Sequence, residues 1–439
     1  MSLAESLSAQ LREEEIIQCM RCGFCLSACP TYKLYGREAN SPRGRIALAN
    51  AVLRGEIPLN DITLPLDQCI GCRACETACP AGVHYGTILE AARSTNERSR
   101  PRGVFARLFR KVAFEWILGT PGGIKLAGFG LWFWQATGLA TVIRGTGLVK
   151  AIAGAAAADL DRAMPAAPSP AVRRAGGGMG TVFPAVGPKR ARAAFFTGCI
   201  MEMAFYQENR DSIRLLQAVG CEVVIVPGQG CCGAVHTHAG EEPLAYEQAK
   251  RNIAAFEAET GADFIVLSAG GCGAALKEYK LWFQQDQQWA LRAAAFSAKV
   301  KDLSEVLVAM GPLPLKERKG RLTYQDSCHL RNVQKVVSQP RQLLTAIPGG
   351  EFVELPGADG CCGAGGIYNV TQPETANHLG NEKIDRLQQT GATTLVVTNP
   401  PCQLHMQASL MRSGLDQRGV AVKHIATVLC EALDREESQ

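Results

Sequence analysis

Eighteen cysteines in 439 residues constrain this chain more than any other feature of its sequence. Eight of them lie in two runs of identical spacing, CMRCGFCLSACP and CIGCRACETACP. Each run reads C-x-x-C-x-x-C-x-x-x-C-P, so three thiols stand close together along the chain and a proline follows the fourth. The cysteines of the first run are Cys19, Cys22, Cys25 and Cys29, and those of the second are Cys69, Cys72, Cys75 and Cys79.

The context of these cysteines favours metal ligation over disulfide bonds. The segment MSLAESLSAQLREEE has no basic stretch followed by an apolar run, which predicts the absence of a secretory signal and a reducing compartment. Dense cysteine in such a compartment indicates metal ligands. A hydrophobic share of 47% and a charged share of 20% predict a folded chain of several domains. The net charge of +5 is not gathered into one basic stripe, so nucleic acid is not an expected partner.

The spacing of the two runs resembles that of the bacterial two-cluster ferredoxins. In those proteins three thiolates of a run bind one [4Fe–4S] cluster and the fourth binds the other cluster. Zinc also accepts C-x-x-C, but it would explain neither the third cysteine step nor the repeated Cys-Pro. The predicted ligand sets are Cys19, Cys22, Cys25 and Cys79 for cluster 1, and Cys69, Cys72, Cys75 and Cys29 for cluster 2.

The second half of the chain contains an internal repeat built around further cysteines. The first copy contains AAFFTGC, EVVIVPGQGCCG and FIVLSAGGCG, and the second contains LTYQDSC, FVELPGADGCCG and TLVVTNPPC. Apolar β-branched runs alternate with helix-length segments, which predicts βαβ units around a parallel sheet with ligands past the strand ends. The expected metal ligands are Cys199, Cys231, Cys232 and Cys272 in the first copy, and Cys328, Cys361, Cys362 and Cys402 in the second. Four thiolates per copy suit an additional iron–sulfur cluster or a zinc ion.

These patterns predict an α+β multi-domain protein. A mainly helical ferredoxin-like domain is expected over 1–95, and two repeated α/β lobes over 191–315 and 316–439. Between them lie a basic, then apolar connecting segment over 96–152 and an Ala/Gly/Pro-rich linker over 153–190. The connecting segment contains 18 uncharged residues, LAGFGLWFWQATGLATVI, and we expect it to lie at a membrane surface or against a partner rather than to span a membrane.

Five stretches of sequence carry a resemblance to a known family. They are CMRCGFCLSACPTYKLYG at 19–36, SPRGRI at 41–46, CCGAVHTH at 231–238, SAGGCGAALKEY at 268–279 and CCGAGGIYNV at 361–370. They resemble the iron–sulfur subunits of bacterial glycolate oxidase and, more broadly, the CCG family that includes heterodisulfide reductase subunits. The resemblance covers nearly the whole chain and is weakest over 96–190.

The resemblance implies a cytoplasmic electron carrier, peripheral on the inner face of the membrane and inactive alone. It would accept electrons from FAD-binding partner subunits that oxidise glycolate and pass them to the membrane quinone pool. The chain has no G-x-G-x-x-G opening a βαβ unit, so FAD is expected on the partners and no catalytic residue is expected here. The equivalent subunit of an L-lactate or anaerobic glycerol-3-phosphate dehydrogenase would share this architecture.

One departure from the CCG pattern bears on a third function, a heterodisulfide-reductase-like thiol–disulfide reductase. CCG domains of that type usually end in C-x-x-C, which supplies a fifth thiolate. Here Ala269 and Asn399 stand where the first cysteine of that pair would be. Disulfide-reducing chemistry is therefore not favoured.

Residues beside the predicted ligands have simpler interpretations. Histidines near them are expected to be hydrogen-bonded loop residues rather than ligands: His236, His238, His329 and His405. Lys277 and Glu278 are expected on a solvated helix face. Cys221 and Cys430 fall outside the repeat and are expected to be buried structural cysteines.

Overall fold

The structure is a computed structural model that describes residues 13–434. Most of the N-terminal segment on which the absence of a secretory signal was inferred lies outside those residues. The N-terminal module is built of short helices around the two cysteine runs. Its helices are α1 Glu13–Ile17, α2 Phe24–Ala28, α3 Pro30–Tyr35, α4 Pro42–Leu53, α5 Thr63–Asp67, α6 Ala74–Thr77 and α7 Tyr85–Ser99.

Local chemistry explains how these helices begin and end. Pro30 is the first residue of α3, because its missing N–H costs nothing at a helix start, so the Cys-Pro step ends one helix and begins the next. In α4 the Ser41 hydroxyl accepts a hydrogen bond from the Gly44 N–H at 2.9 Å and caps the helix. Apolar residues of α4 and α7, among them Ile46 and Ile88, form one buried core under both runs.

A helical connection follows this module. It comprises α8 Val104–Arg110, a π-helical stretch Lys111–Ile117, α9 Pro121–Ala136, α10 Leu139–Gly145, α11 Leu148–Ala163 and α12 Pro170–Ala175. Among residues 13–434, no single helix has the length and apolar character to cross a membrane; α9 and α10 meet that test only as a pair bent by 69°. The alanine-rich start of the predicted linker is helical in α11, as expected from the high helix propensity of alanine.

The first lobe is an α/β unit around a five-stranded sheet of order β1-β3-β2-β4-β5, in which only the β1–β3 pair is antiparallel. Its strands are β1 Val182–Phe183, β2 Ala191–Phe195, β3 Cys221–Ile225, β4 Phe264–Leu267 and β5 Val300–Asp302. Its helices are α13 Cys199–Ala204, α14 Tyr206–Ala218, α15 Ala234–His238, α16 Glu242–Glu257, α17 Gly270–Trp282, α18 Ala290–Lys299 and α19 Leu303–Met310.

The second lobe repeats this topology in a four-stranded parallel sheet of order β7-β6-β8-β9. Its strands are β6 Gly320–Tyr324, β7 Gly350–Phe352, β8 Thr394–Val397 and β9 Ala421–His424. Its helices are α20 Cys328–Asn332, α21 Ser338–Thr345, α22 Tyr368–Thr371, α23 Pro373–Thr390, α24 Pro400–Ser413 and α25 Ile425–Ala432. The predicted α+β architecture, a helical module followed by two α/β lobes, is confirmed.

The two lobes share a hydrophobic core. Phe195 of the first lobe and Tyr324 of the second, both fully buried, belong to the same apolar cluster. The last helix of each lobe also packs against the other lobe: α25 packs on α14 of the first lobe, and α19 packs on α21 of the second. The strand ends meet as well: the Gly270 N–H donates to the Thr398 carbonyl at 3.0 Å. The cysteine-bearing edges of the two sheets are therefore held against each other.

Candidate iron–sulfur sites

The backbones of both N-terminal cysteine runs bend in the same way. Arg21 and Gly23 in the first run have φ of 56° and 91°, and Gly71 and Arg73 in the second have φ of 75° and 59°. A left-handed conformation costs a non-glycine residue roughly 1–2 kcal/mol. Successive turns of this kind point backbone N–H groups into a concavity that suits an anionic centre such as an iron–sulfur cluster. The two loops therefore fit the group that their cysteines would hold.

The fold brings Cys29 of the first run to the cysteines of the second. Cys29, Cys69, Cys72 and Cys75 line one cavity, and all but Cys72 are buried. Burial, followed by the charges of Cys72 and Cys69, raises the pKa of Cys75 well above its usual value. Four thiolates this close need a cationic counter-charge, which bound iron would supply. The assignment of these residues to cluster 2 stays a prediction, and this is the grouping that it requires.

A buried arginine lies against this group of thiols. Arg45 is 3% exposed, and its Nη1 donates to the Asn40 carbonyl at 2.6 Å. Its Nη2 donates to the Thr31 hydroxyl at 3.1 Å, and that hydroxyl lies 3.3 Å from the Cys29 sulfur. Burial is the largest influence on Arg45 and opposes its charge, but the charges of Cys69, Tyr85 and Cys29 together outweigh burial, so the pKa of Arg45 is raised. The SPRGRI segment thus does more than start a helix: it places a cation beside a candidate cluster.

The other four cysteines lie nearer the surface. Cys19, Cys25 and Cys79 are partly buried and pack on the same apolar core, whereas Cys22 is exposed. Burial is the main reason that the pKa of Cys25 is raised. Their grouping as the ligands of cluster 1 stays a prediction. If they hold a cluster, it is the more exposed of the two.

Each lobe brings its four cysteines together past the ends of its strands. In the first lobe the Cys199 thiol donates to the Cys231 sulfur at 3.4 Å, and Cys232 contacts both Cys231 and Cys272. The contact between Cys199 and Cys231, and then burial, raise the pKa of Cys199 well above its usual value. The four thiols form one continuous group.

The second lobe forms the corresponding group. Cys361 has side-chain hydrogen-bonding contacts with Cys328 and Cys362, and Cys362 has a further one with Cys402. These hydrogen bonds lower the pKa of Cys362 well below its usual value, which favours a thiolate at the centre of the group. Among residues 13–434, no three His, Cys, Asp or Glu side chains converge as a single metal ion would require. Four thiols supply the ligands of an iron–sulfur cluster or of a zinc ion, and the occupant of the lobes stays a prediction.

The N-terminal module covers the thiols of the second lobe. The side chains of Cys361 and Cys72 contact each other, and this contact lowers the pKa of Cys72. The Asn332 side chain donates to the Cys72 carbonyl at 2.9 Å, and His329 Nε2 lies 3.0 Å from the Gly71 carbonyl oxygen. A predicted ligand of cluster 2 thus touches a predicted ligand of the second lobe, so electrons could pass between them without leaving the protein interior.

Asn399 now has a visible role where a fifth cysteine would stand. Its side-chain N–H donates to the Cys402 sulfur at 3.5 Å, and its side-chain oxygen accepts from the Gly271 N–H at 3.0 Å. An amide therefore contacts the sulfur where the related domains carry a further thiolate. Ala269, at the same position of the first lobe, is buried and offers no donor.

The expectation that these histidines are loop residues is wrong, because His236 and His238 lie in α15, His329 in α20 and His405 in α24. The hydrogen bonds expected of them are present for three of the four rings. The ring Nε2 atoms of His236, His329 and His405 lie 2.9–3.0 Å from the carbonyls of Phe114, Gly71 and Ala376. His238 lies 3.9 Å from Glu90, and burial is the main reason that its pKa is well below the usual value. Three of the rings thus have a backbone carbonyl as a hydrogen-bond partner.

Two expectations about neighbouring residues have different outcomes. Cys221 and Cys430 are buried away from the sites, as expected, and burial raises the pKa of each to about 11. The expectation of a solvated face for Glu278 is wrong, because its carboxylate pairs with Arg73 of the second cysteine run. Lys277 also has an internal partner, Glu305, at 2.7 Å. Sequence patterns could not show the Arg73–Glu278 pair, since its members are 205 residues apart.

Comparison with known proteins agrees with this division of the chain. The family profile described as "4Fe-4S dicluster domain" matches residues 15–83, and "Cysteine-rich domain" matches 193–277 and 322–407. The profile described as "Glycolate oxidase iron-sulfur subunit, linker region" matches 105–164. A dicluster module joined to two cysteine-rich lobes defines an iron–sulfur electron-transfer protein.

Two similar proteins extend over the whole chain. The "Probable glycolate oxidase iron-sulfur subunit" of Bacillus subtilis (strain 168) is 41% identical over 98% of this chain and 96% of its own length. The "Glycolate oxidase iron-sulfur subunit" of Escherichia coli (strain K12) is 30% identical over 95% of this chain and 94% of its own. The chain belongs to the family of glycolate oxidase iron–sulfur subunits. "Lactate utilization protein A" of Geobacillus sp. (strain WCH70) is 31% identical but matches only 54% of this chain.

Proposed function

We propose that this chain carries electrons from FAD-binding subunits that oxidise glycolate to the membrane quinone pool. The observation that supports this most is the chain-length similarity to glycolate oxidase iron–sulfur subunits, combined with sixteen predicted ligand cysteines grouped in four places. The similarity to lactate utilization proteins is confined to about half of the chain and does not favour that alternative.

The exposed first cysteine run is the proposed entrance for electrons. Cys22 is exposed, and its neighbours Met20 and Phe24 are 70% and 65% exposed. Large apolar side chains beside an exposed ligand suit a docking surface for a protein partner. From there the route would run through the cluster at Cys29 and Cys75 to the second lobe.

The helical connection supports a peripheral position on the inner face of the cytoplasmic membrane. Twelve of the 22 large apolar residues that are exposed in the described chain lie between residues 104 and 152. Apolar contact, rather than charge, would lead this association, because several of the preceding arginines already have internal carboxylate partners. Examples are Arg100 with Asp67 and Arg110 with Glu241.

The test is glycolate oxidation with a soluble dye as acceptor, measured for the chain alone and after addition of the FAD-binding subunits. We expect turnover only in the combined sample, because the chain has no dinucleotide-binding fingerprint. Steady oxidation of glycolate by the purified chain alone would contradict the proposal.

A docking variant sharpens this test. A charge at Phe24 should weaken binding of the flavin subunits roughly tenfold or more, so Phe24→Asp should raise the concentration of subunit needed for half-maximal turnover. Phe105→Asp is the matched control, because Phe105 is also exposed, at 88%, but lies in α8. If the two variants raise the concentration for half-maximal turnover equally, the first cysteine run is not the place where electrons enter the chain.

A further inference from the structure

A cavity of about 500 Å³ lies between the helical connection and the first lobe. Its inner wall contains Thr197, Gly198 and Gly230, the residues that immediately precede Cys199 and Cys231. Ile124 of α9 lines the cavity and packs against both of those cysteines. The cavity thus lies beside the thiol group of the first lobe, separated from it by Ile124 and by the backbone that precedes the cysteines, and its volume is in the range of small-molecule sites.

The two lobes differ in what covers their thiols. Over the second lobe the cover is the N-terminal module, whose Cys72 contacts Cys361 directly. Over the first lobe the cover is α9 and the segment that follows α12, and it leaves the cavity beside the cysteines. The second lobe therefore faces another predicted redox centre, whereas the first lobe faces a space that a redox partner could enter.

The lining combines an apolar wall with four cationic side chains, of which Arg210 is stacked on aromatic rings. Ile124, Phe129 and Ile213 supply apolar surface. Arg210 stacks over the ring of Phe183 at 4.4 Å and lies 5.8 Å from the ring centre of Tyr206. Within the described part of the chain it forms no salt bridge, although it is partly buried. A planar guanidinium in such a place suits an oxygen that becomes negatively charged.

A carboxyl group at the cavity can supply protons. Glu202 lines the cavity and lies 3.1 Å from Arg173, whose guanidinium also donates to the Glu202 and Met203 carbonyls. Burial is the main cause of a raised pKa for Glu202, so its carboxyl holds a proton more readily than an exposed one. Arg173 is already engaged, and the other two lysine or arginine residues of the lining, Lys125 and Arg174, are exposed to water. Arg210 is therefore the partly buried cation of the lining that has no carboxylate partner among the described residues.

The mouth of the cavity lies at the apolar surface of the connection. Phe129 lines the cavity and is 47% exposed, and Leu126 and Phe133 on the same helix are 71% and 47% exposed. A lipid-soluble ligand could therefore enter from a membrane surface without crossing water. A soluble anion would not need an apolar entrance of this kind.

We propose that this cavity binds the ring of a membrane quinone and that the quinone is reduced there by the first lobe. The inference rests on the proposed function, since the electrons originate in the reduced flavin of the partner subunits. Cys199, Cys231, Cys232 and Cys272 would hold the cluster that supplies the two electrons. The quinone takes up these two electrons and two protons, one proton at each carbonyl oxygen, to give the quinol. The protons come from water, with Glu202 as the carrier inside the cavity, and Arg210 binds the oxygen while it is negatively charged.

The first measurement is photo-labelling of the full-length chain with an azido-quinone, which does not depend on glycolate or on electron transfer. We expect labelled peptides from 121–129 or 168–179, and excess unlabelled quinone should suppress the label. Suppressible labelling only outside the cavity lining would overturn the inference, even if glycolate oxidation by the complex is normal.

The second measurement is the ratio of quinone turnover to dye turnover in the complex with its flavin subunits. Arg210→Gln should lower this ratio roughly tenfold or more, because a charge-assisted hydrogen bond is lost. Arg214→Gln, one turn further along α14, should leave the ratio unchanged, since Arg214 is 55% exposed and pairs with Asp211. An unchanged ratio in Arg210→Gln would overturn the inference.

A third variant tests the cavity without changing Arg210, in case Arg210→Gln impairs folding. Gly178 lines the cavity, and a Cβ there would meet nothing within 4 Å, so Gly178→Phe adds bulk without a clash. It should lower the same ratio and reduce photo-labelling, whereas Gly130→Phe, equally free of contacts on α9, should do neither. Full quinone turnover with Phe at position 178 would count against the cavity. Loss of dye turnover in the wild-type complex would instead refute the proposed function, while the labelling result would still decide the cavity.

Discussion

Arg45 is a cation enclosed in the protein within reach of two predicted cluster ligands, Cys29 and Cys69. A reduced cluster carries one more negative charge than an oxidised one, so a buried cation stabilises the reduced state. Arg45→Gln should therefore make the potential of cluster 2 more negative by about 50–100 mV, as expected for one charge acting over roughly 7–10 Å at an effective dielectric of about 20.

Redox titration followed by electron paramagnetic resonance measures this shift. Arg45→Lys should retain most of the potential, and Arg54→Gln at the exposed end of the same helix, 57% exposed, should not move it. A potential in Arg45→Gln equal to that of the wild type would show that Arg45 serves the fold and not the cluster.

Cys29 tests the crossing of ligands between the two runs. Because Cys29 lines the same cavity as Cys69, Cys72 and Cys75, Cys29→Ser should perturb the resonance signal that Cys69→Ser perturbs. Cys19→Ser should perturb the other signal. If Cys29→Ser and Cys19→Ser affect the same signal, each run holds its own cluster and the crossing is wrong.

At the level of single residues, the sequence predicted the cysteines and not their partners. The cysteines stand out because their spacing is a local pattern. Arg45 and Asn399 act through contacts that only the folded chain brings together, such as the 3.5 Å approach of the Asn399 amide to Cys402. The hydrogen bonding of His236, His329 and His405 to carbonyls was predicted, but the position of these residues within helices was not.

Helix α7 joins the N-terminal module to the first lobe through a titrating group. Glu90 on α7 lies 3.9 Å from His238, and burial, followed by the charge of Glu278, raises the pKa of Glu90 to about 7. The unfolded chain would release this proton near pH 4.3. The contribution of Glu90 to stability is therefore fully present below pH 4.3 and is lost as the pH rises through about 7.

We expect the free energy of unfolding to fall between pH 5 and pH 8 by about 1–3 kcal/mol more in the wild type than in Glu90→Gln. The lower part of that range allows for the Glu90 side chain being 25% exposed. Urea unfolding at the two pH values measures the difference. Glu382→Gln, at a side chain that is 46% exposed, is the control and should keep the wild-type pH dependence; the same dependence in Glu90→Gln would contradict the prediction.

At the level of elements, the repeat made the two parallel sheets predictable. β-branched runs and matching cysteine intervals indicated both lobes, and the strand orders β3-β2-β4-β5 and β7-β6-β8-β9 are equivalent. The packing of the last helices against the opposite lobe was not predictable, because α19 and α25 have ordinary amphipathic sequences that do not indicate which lobe they cover. The bend between α9 and α10 was also unforeseen, although Gly138, with φ of 77°, marks it.

For the whole molecule, the prediction concerns the metal content of the two lobes. Two N-terminal clusters account for about eight irons, so we expect more than that in anaerobically purified protein. Cys232→Ser and Cys362→Ser should each lower iron and sulfide, since both residues lie at the centre of a thiol group. Cys221→Ser should not, because Cys221 is buried in β3 away from the sites. If a variant with both Cys232→Ser and Cys362→Ser keeps all the iron and sulfide of the wild type, and zinc is found in neither the variant nor the wild type, the lobes are metal-free.

The interface between the N-terminal module and the lobes determines whether electron transfer within the chain requires domain motion. Many electron carriers deliver their charge by swinging a tethered domain, and their rate falls as the solvent becomes more viscous. Here Arg73 is paired across the interface with Glu278, and the Cys72 carbonyl is hydrogen-bonded to the second lobe. Because the N-terminal module and the lobes are fixed to each other, no domain has to diffuse before an electron is transferred. The rate of electron transfer inside the chain should therefore be the same in glycerol as in water. Laser-flash reduction measures this rate. Under the proposed function, the two electrons of the partner's flavin would be held on separate centres at the same time, in a chain whose domains do not move.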